Sequence, residues 1–391
     1  MGDGRADVLV GGQFGSEGKG GILAKLLADD PTRWVAHVRV GASNAGHTGY
    51  GPDGVARVAL QLPLACHLVG APGIIGAGAL ISKDIMEREL AEIRARGLSP
   101  NIYVDERAHI IMDWHKETEA KAGLEKAIGS TSTIAKEGIG AAELARVARL
   151  AMYGIPAGSH REWFKQLGIA VTDTAEMLER IMAQDKNVLL EGTQGFGLSL
   201  IHGFWPYVTS RDTSTSGILS QIGVSPRRLG DVIGVFRTYP IRVHGNSGPW
   251  WWDQTEATWE QIGVPEEKTT VTKRVRRVAT WSQEGALKAI DVCGINKIAL
   301  TFWDYIDAGA DEELAPWNRQ PWERPSLGYA EQYIPQNTRG ASMIYALNAI
   351  QNLTGAKLSW LATGPRPENV HDVVLEKTET GVVRIVPRRN W

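Results

Sequence analysis

The chain has 391 residues, 42 of them Lys or Arg against 44 Asp or Glu, for a formal net charge of -2. So balanced a charge argues against a dedicated nucleic-acid binder, which carries a strongly basic face, and 43% apolar residues exclude wholesale disorder. A chain of this length buries an ample core without disulfides or structural metals. Its two cysteines, Cys66 and Cys293, stand isolated, with no metal-ligand spacing, and point to a reducing compartment.

The segment Met1–Asp7 is polar and lacks the apolar core of a signal peptide. Strand-like apolar runs follow at Asp7–Val10, Val35–Val40, Val188–Leu190, Val232–Phe236 and Lys297–Thr301. Helical spacing marks Asp84–Arg96, Ala141–Met152, Thr174–Ala183, Gln283–Val292 and Gly340–Asn352. This alternation predicts an α/β fold around a largely parallel sheet, with ligands beyond the carboxyl ends of the strands. The uncharged run Val58–Ser82 contains Gln61, Pro63, His67 and Pro72, which suit buried strands and turns rather than a membrane span. A soluble, cytoplasmic protein is expected. Gly309–Pro335, rich in Pro, Trp and charge, reads as a surface excursion, and the consecutive Trp250, Trp251 and Trp252 read as core filling or a subunit contact.

The first strand runs into Gly11-Gly12-Gln13-Phe14-Gly15-Ser16-Glu17-Gly18-Lys19-Gly20-Gly21, followed by a helix stripe at Ile22, Leu23, Leu26 and Leu27. Glycines let backbone N–H groups wrap an anion, the helix N-terminus adds partial positive charge, and Lys19 supplies a full one. The loop is not a standard Walker A, since Gln13 stands where that motif has Gly and Gly20 where it has Ser or Thr. After the second strand comes Gly41-Ala42-Ser43-Asn44-Ala45-Gly46-His47-Thr48, where His47 can donate to a developing oxyanion or transfer a proton. Further segments are Glu191-Gly192-Thr193-Gln194-Gly195, His202 to Ser210, and the basic Thr270 to Arg277, whose hydroxyls and guanidinium forks suit a carboxylate. Thr301-Phe302-Trp303-Asp304 and Thr363-Gly364-Pro365 end or follow strand-like runs.

Together these segments, in order from Gly12 to Pro365, resemble the adenylosuccinate synthetase family. The resemblance implies one P-loop-like α/β domain over 1–391, with surface excursions at about 100–185 and 305–338, and a homodimer. It implies a ligase that uses a nucleoside triphosphate and Mg²⁺ to phosphorylate O6 of a purine monophosphate, after which the aspartate amine displaces the phosphate. Carried over by position, Ser16, Lys19, His47 and Gln194 are the catalytic candidates. Gly15, Glu17, Gly18, Lys19, Gly20, Gly46, His47, Thr48, Asp304, Thr363, Gly364 and Pro365 surround the donor nucleotide. Ser16, Asn44, Ser130, Thr131, Arg149, Gln194, Thr209 and Val243 hold the acceptor, with Arg149 reaching the neighbouring subunit's acceptor phosphate. Thr272, Arg274 and Arg276 bind aspartate, and Gly46 with Ser16 is the metal position.

Three positions depart from the family pattern. Ser16 replaces the Asp that is base and Mg²⁺ ligand, Phe302 replaces a lysine that covers guanine, and Ala362 replaces a serine that contacts the same base. The Ser16 change resembles the phage-type branch that joins aspartate to dGMP and yields N6-succino-2-amino-2′-deoxyadenylate, for viruses that replace adenine in DNA. A short hydroxyl leaves room for an exocyclic 2-amino group that a carboxylate would crowd. Phe302 and Ala362 favour ATP or dATP over GTP as donor. Alternatives are an ordinary adenylosuccinate synthetase acting on IMP with GTP, and a silent nucleotide-binding regulator.

Overall fold

The computed structural model describes residues 2–122, 137–149, 155–269, 273–307, 339–378, 381 and 383–388. Its centre is a sheet of 11 strands: β1 Ala6–Gly11, β2 Ala36–Arg39, β3 Gly73–Ile75, β4 Ile102–Asp105, β5 Ala170–Thr172, β6 Val188–Glu191, β7 Leu229–Arg237, β8 Lys297–Thr301, β9 Lys357–Ala362, β10 Val370–Lys377 and β11 Val383–Pro387. In space they run β11-β10-β9-β8-β7-β1-β6-β2-β3-β4-β5. Pairing is parallel throughout except where β10 returns against β9 and β11 against β10.

Every residue of β1, β2 and β6 is buried, as expected of parallel strands covered on both faces. Alternation along β1 divides the core. Leu9 packs under Ile22, Leu23, Leu26 and Leu27 of the helix Lys19–Asp29. Val8 and Val10 face the opposite layer, where Ala286, Ala289 and Ile290 of the helix Gln283–Cys293 join Leu347 and Ile350 of the helix Arg339–Thr354. Each of the Leu, Ile and Val side chains among these, removed from water, contributes about 1.5–3 kcal/mol.

Two expectations need correction. Val58–Ser82 is not strands and turns alone, because Leu64–Val69 is a helix between short strands. Segment 100–185 is more than a surface excursion, since β4 and β5 lie within it. The predicted helix Ala141–Met152 is found as Ile139–Ala148, and its last predicted residues lie outside the described ones, as does 308–338. Trp250 meets Phe14 edge-on at 5.5 Å and Trp251 meets Phe204 at 4.7 Å, whereas Trp252 is 54% exposed. Among the described residues no helix is long and apolar enough to cross a membrane.

Candidate active site

The loop after β1 explains its own departure from a Walker A. Gln13 uses its side-chain amide to stitch the loop to the end of β7: Nε2 donates to the Arg237 carbonyl at 3.0 Å and Oε1 accepts the Arg237 N–H at 2.9 Å. Glycine, with no side chain, could not make these two hydrogen bonds. Glu17 turns inward and is fully buried, accepting from Gly15 N–H at 2.7 Å, Gln13 N–H at 3.2 Å and Lys19 Nζ at 2.8 Å. Lys19 Nζ also donates to the Gln194 carbonyl. Thr301 Oγ1, at the end of β8, donates to the Glu17 carbonyl at 2.6 Å. Ser16 is the exposed crest of this loop, held at φ 56°, and its carbonyl accepts from Arg237 Nη1 at 3.2 Å. A side chain at Gly20 would run into the Thr48 carbonyl at 2.1 Å, so the first helical turn packs directly on the His47–Tyr50 strand.

A second buried set joins β2 and β6, whose last residues Arg39 and Glu191 are register partners. Arg39 Nη1 donates to Glu191 Oε1 at 2.7 Å, and Arg39 Nη2 donates to the carbonyls of Ala45 and Leu60, which braces the Asn44–Thr48 segment. His47 Nδ1 meets the same Glu191 oxygen. All three side chains are buried. Burial raises the carboxyl of Glu191, but Arg39 and His47 outweigh it and bring it down to about 2. Burial, then the Arg39 charge, pushes the His47 imidazole down to about 4. His47 is therefore neutral near pH 7, and its Nε2 has no hydrogen-bond partner among the described residues.

Gln194 sits in the left-handed region at φ 64°, its Oε1 buried and without a partner among the described residues. Thr209 is half-buried and donates its N–H to the Leu198 carbonyl, and the Val243 carbonyl accepts from Ser247 Oγ. Asn44 is half-buried, while Gly46 and Thr48 are exposed. Arg149 caps the C-terminus of Ile139–Ala148 at φ 55° and is exposed. Arg274 is exposed, and Arg276 is half-buried beside Glu267, to whose carbonyl it donates its N–H at 2.9 Å. Ser130, Thr131 and Thr272 lie outside the described residues.

At the other side, Trp303 N–H donates to the Ala362 carbonyl and Thr363 N–H to the Asn369 carbonyl, so Asp304 and Thr363-Gly364-Pro365 leave adjacent strands β8 and β9 together. The Arg237 guanidinium lies 3.9 Å over the Phe302 ring and pairs with Glu267. One ring face is thus occupied and at most one is open to a base. Burial of Ala362 behind Val370 leaves no polar group at that position.

No group of three or more His, Cys, Asp or Glu that could hold a metal occurs among the described residues, and the buried carboxylates Glu17 and Glu191 are committed to Lys19 and Arg39. The exposed Gly46 carbonyl and Ser16 hydroxyl are neutral oxygens. They fit a Mg²⁺ that keeps most of its shell as water and phosphate oxygens, which is that ion's habit, and not a cage made by protein alone.

Arg39, Glu191 and Arg237 are site residues to which sequence reasoning gave no role. Their signal was available: each is a charge that closes a buried apolar strand, on the edge where parallel sheets bind ligands.

A family model described as adenylosuccinate synthetase matches residues 8–155 and 156–312. The chain belongs to the adenylosuccinate synthetase family. It is 36% identical to the adenylosuccinate synthetase of Thermococcus onnurineus over 93% of this chain and 97% of that one, and 33% identical to that of Methanococcus maripaludis over 94% and 98%. Among solved structures it is similar to the cyanophage S-2L succinoaminodeoxyadenylate synthetase (PurZ) bound to dGMP and dATP as an energy donor, with TM-score 0.74 and 27% identity over 94% of this chain and 95% of that one. The Plasmodium falciparum adenylosuccinate synthetase, at TM-score 0.71 and 21% identity over 94% and 99%, shares the fold. As a family member the chain is a carbon–nitrogen ligase for nucleotide substrates, and its large, mostly parallel sheet is the family's own.

Proposed function

We propose that this ligase joins L-aspartate to dGMP, with ATP or dATP as phosphoryl donor, giving N6-succino-2-amino-2′-deoxyadenylate for diaminopurine DNA. The observation that carries this reading is Ser16, an uncharged, exposed side chain at the crest of a loop whose other polar side chains are buried. A short hydroxyl there accommodates and accepts from a 2-amino group, where a carboxylate would crowd it. The neighbour solved with dGMP and dATP supports the same choice of substrates. Phe302 and Ala362 support an adenine donor, since an aromatic face can stack a base and neither side chain carries a polar group that would read guanine.

The donor γ-phosphoryl passes to O6 of the acceptor as its bond to the β-phosphate oxygen breaks, releasing the nucleoside diphosphate, and N1 gives up its proton to solvent; the aspartate amine then bonds to C6 and loses a proton as the C6–O bond breaks and phosphate leaves. Lys19 keeps Glu17 and directs its remaining ammonium hydrogen to donor phosphate oxygens, Gln194 and Thr209 hold the acceptor, and Arg274 with Arg276 receives the aspartate carboxylates. Gly46 and Ser16 would hold Mg²⁺ together with the triphosphate, and the ion would neutralise phosphate charge. Arg149 acts on the acceptor of a second copy: it is exposed, and Leu144 and Val147 on the same helix are each 67% exposed, an apolar face suited to dimerisation. Mixing Arg149→Leu with Lys19→Ala protein should restore activity that neither has alone; exchange of subunits without recovery speaks against a shared site.

The archaeal relatives, all adenylosuccinate synthetases, favour a second reading in which IMP and GTP are the substrates. Incubation with aspartate, Mg²⁺ and each donor against dGMP or IMP, with products resolved by mass, separates the two. Turnover of dGMP with ATP or dATP upholds the proposal. Turnover of IMP with GTP alone refutes it.

A further inference from the structure

Glu191 is almost wholly buried at the ligand edge of the sheet, and among the described residues assigned to substrates it hydrogen-bonds to His47 alone. Its hydrogen bonds among the described residues all come from nitrogen. Arg39 Nη1 and His47 Nδ1 meet Oε1, and the Leu64 N–H donates to Oε2 at 3.0 Å. An ionised carboxylate only accepts, so the proton on the His47 ring sits on Nδ1. The 3.2 Å approach of Arg39 Nη1 to the same Nδ1 is the weaker contact, because that guanidinium hydrogen is directed to Glu191 at 2.7 Å. The Leu64 bond also caps the helix Leu64–Val69, a purely structural role that leaves the histidine contact unexplained. Arg39 meanwhile fixes the loop that carries His47 through the Ala45 and Leu60 carbonyls.

We propose that Glu191 is a positioning residue for the ligase reaction, holding His47 as its Nδ1–H tautomer and leaving Nε2 as the one ring nitrogen open to the reacting groups. A carboxylate behind a histidine fixes both tautomer and ring plane, and behind metal-bound histidines the loss of such a partner typically costs about 10–100-fold in affinity or activity, the scale expected here. This inference rests on the ligase reading above, so one of its tests does not depend on turnover. In the full-length protein with ¹⁵N-labelled histidine, His47 (assigned by its loss in His47→Asn) should show Nδ1 protonated and Nε2 bare near pH 7. An Nε2-protonated neutral ring overturns the proposal even if the protein is an active ligase.

The kinetic test is a double-mutant cycle. Glu191→Gln should lower kcat about 10–100-fold while the three KM values stay within about two-fold. In a His47→Asn background the same change should cost less than about two-fold, because its effect runs through the imidazole. If Glu191→Gln does not fold, Glu191→Asp, which keeps a charge opposite Arg39, serves in the same cycle. An undiminished loss in the His47→Asn background means that Glu191 acts on stability alone and defeats the proposal. A wild-type protein that turns over no purine nucleotide defeats the ligase reading instead, and the ring measurement still decides the tautomer.

Discussion

The centre around Lys19, His47 and Glu191 and the edge around Phe302, Asp304 and Ala362 share one end of the sheet but are built in opposite ways. In the centre every charge has a buried counterpart: Lys19 with Glu17, Arg39 with Glu191, and both pairs tied to neighbouring strand ends. Removing either partner strands the other in a medium of low polarity, so the set changes together or not at all. At the edge, Ala362 is a small apolar residue and Phe302 leans on Arg237, and such positions can change one at a time. The exposed Ser16 belongs, in this respect, with the edge. The centre is held by buried ion pairs, whereas the positions proposed to set selectivity carry no charge that a buried partner must balance.

Arg39→Met should have the largest effect. It leaves the Glu191 carboxylate without its cation and should cost about 3–5 kcal/mol of unfolding free energy in urea titration. A loss under about 1 kcal/mol would mean that the centre is not locked.

Acid sensitivity sharpens the same point on β2. Burial pushes His37 down to about 4, with neither ring nitrogen bonded among the described residues. The folded state therefore binds its proton less readily than the unfolded chain, whose histidines titrate near 6.5. The stability due to a neutral His37 is complete above that pH and is lost as pH falls from about 6.5 to 4, by up to ~3 kcal/mol. His37→Leu should lose less unfolding free energy than wild type between pH 7.5 and 4.5; equal losses show that other groups govern the acid limb.

The edge should answer differently. Phe302→Lys combined with Ala362→Ser should leave stability within about 1 kcal/mol and move the GTP-to-ATP ratio of kcat/KM upward about ten-fold, the worth of one or two hydrogen bonds. An unchanged ratio places donor choice elsewhere.

The long strands β1, β7 and β8 were legible because continuous apolar runs and the glycines beside them mark them plainly. Three-residue strands such as β3 and β5 are too short to show a period, and β10, on the antiparallel edge, mixes polar and apolar residues. The glycine loop and His47 could be read as a site from local sequence. What local sequence could not supply was the pairing of Arg39 with Glu191, 152 positions apart, since it depends on β2 and β6 being neighbours. Nor could the inward turn of Glu17 be foreseen, because a glutamate in a glycine loop reads equally as a group facing the ligand.

Whether Ser16 selects the 2-amino purine is decided by the substitution Ser16→Asp. The relevant quantity is the dGMP:IMP ratio of kcat/KM in both proteins. A neutral hydrogen bond with relief of crowding supports a preference of about ten-fold. Wild type should favour dGMP by about that factor, and Ser16→Asp should reverse or abolish the preference. The same ratio in both proteins would contradict it.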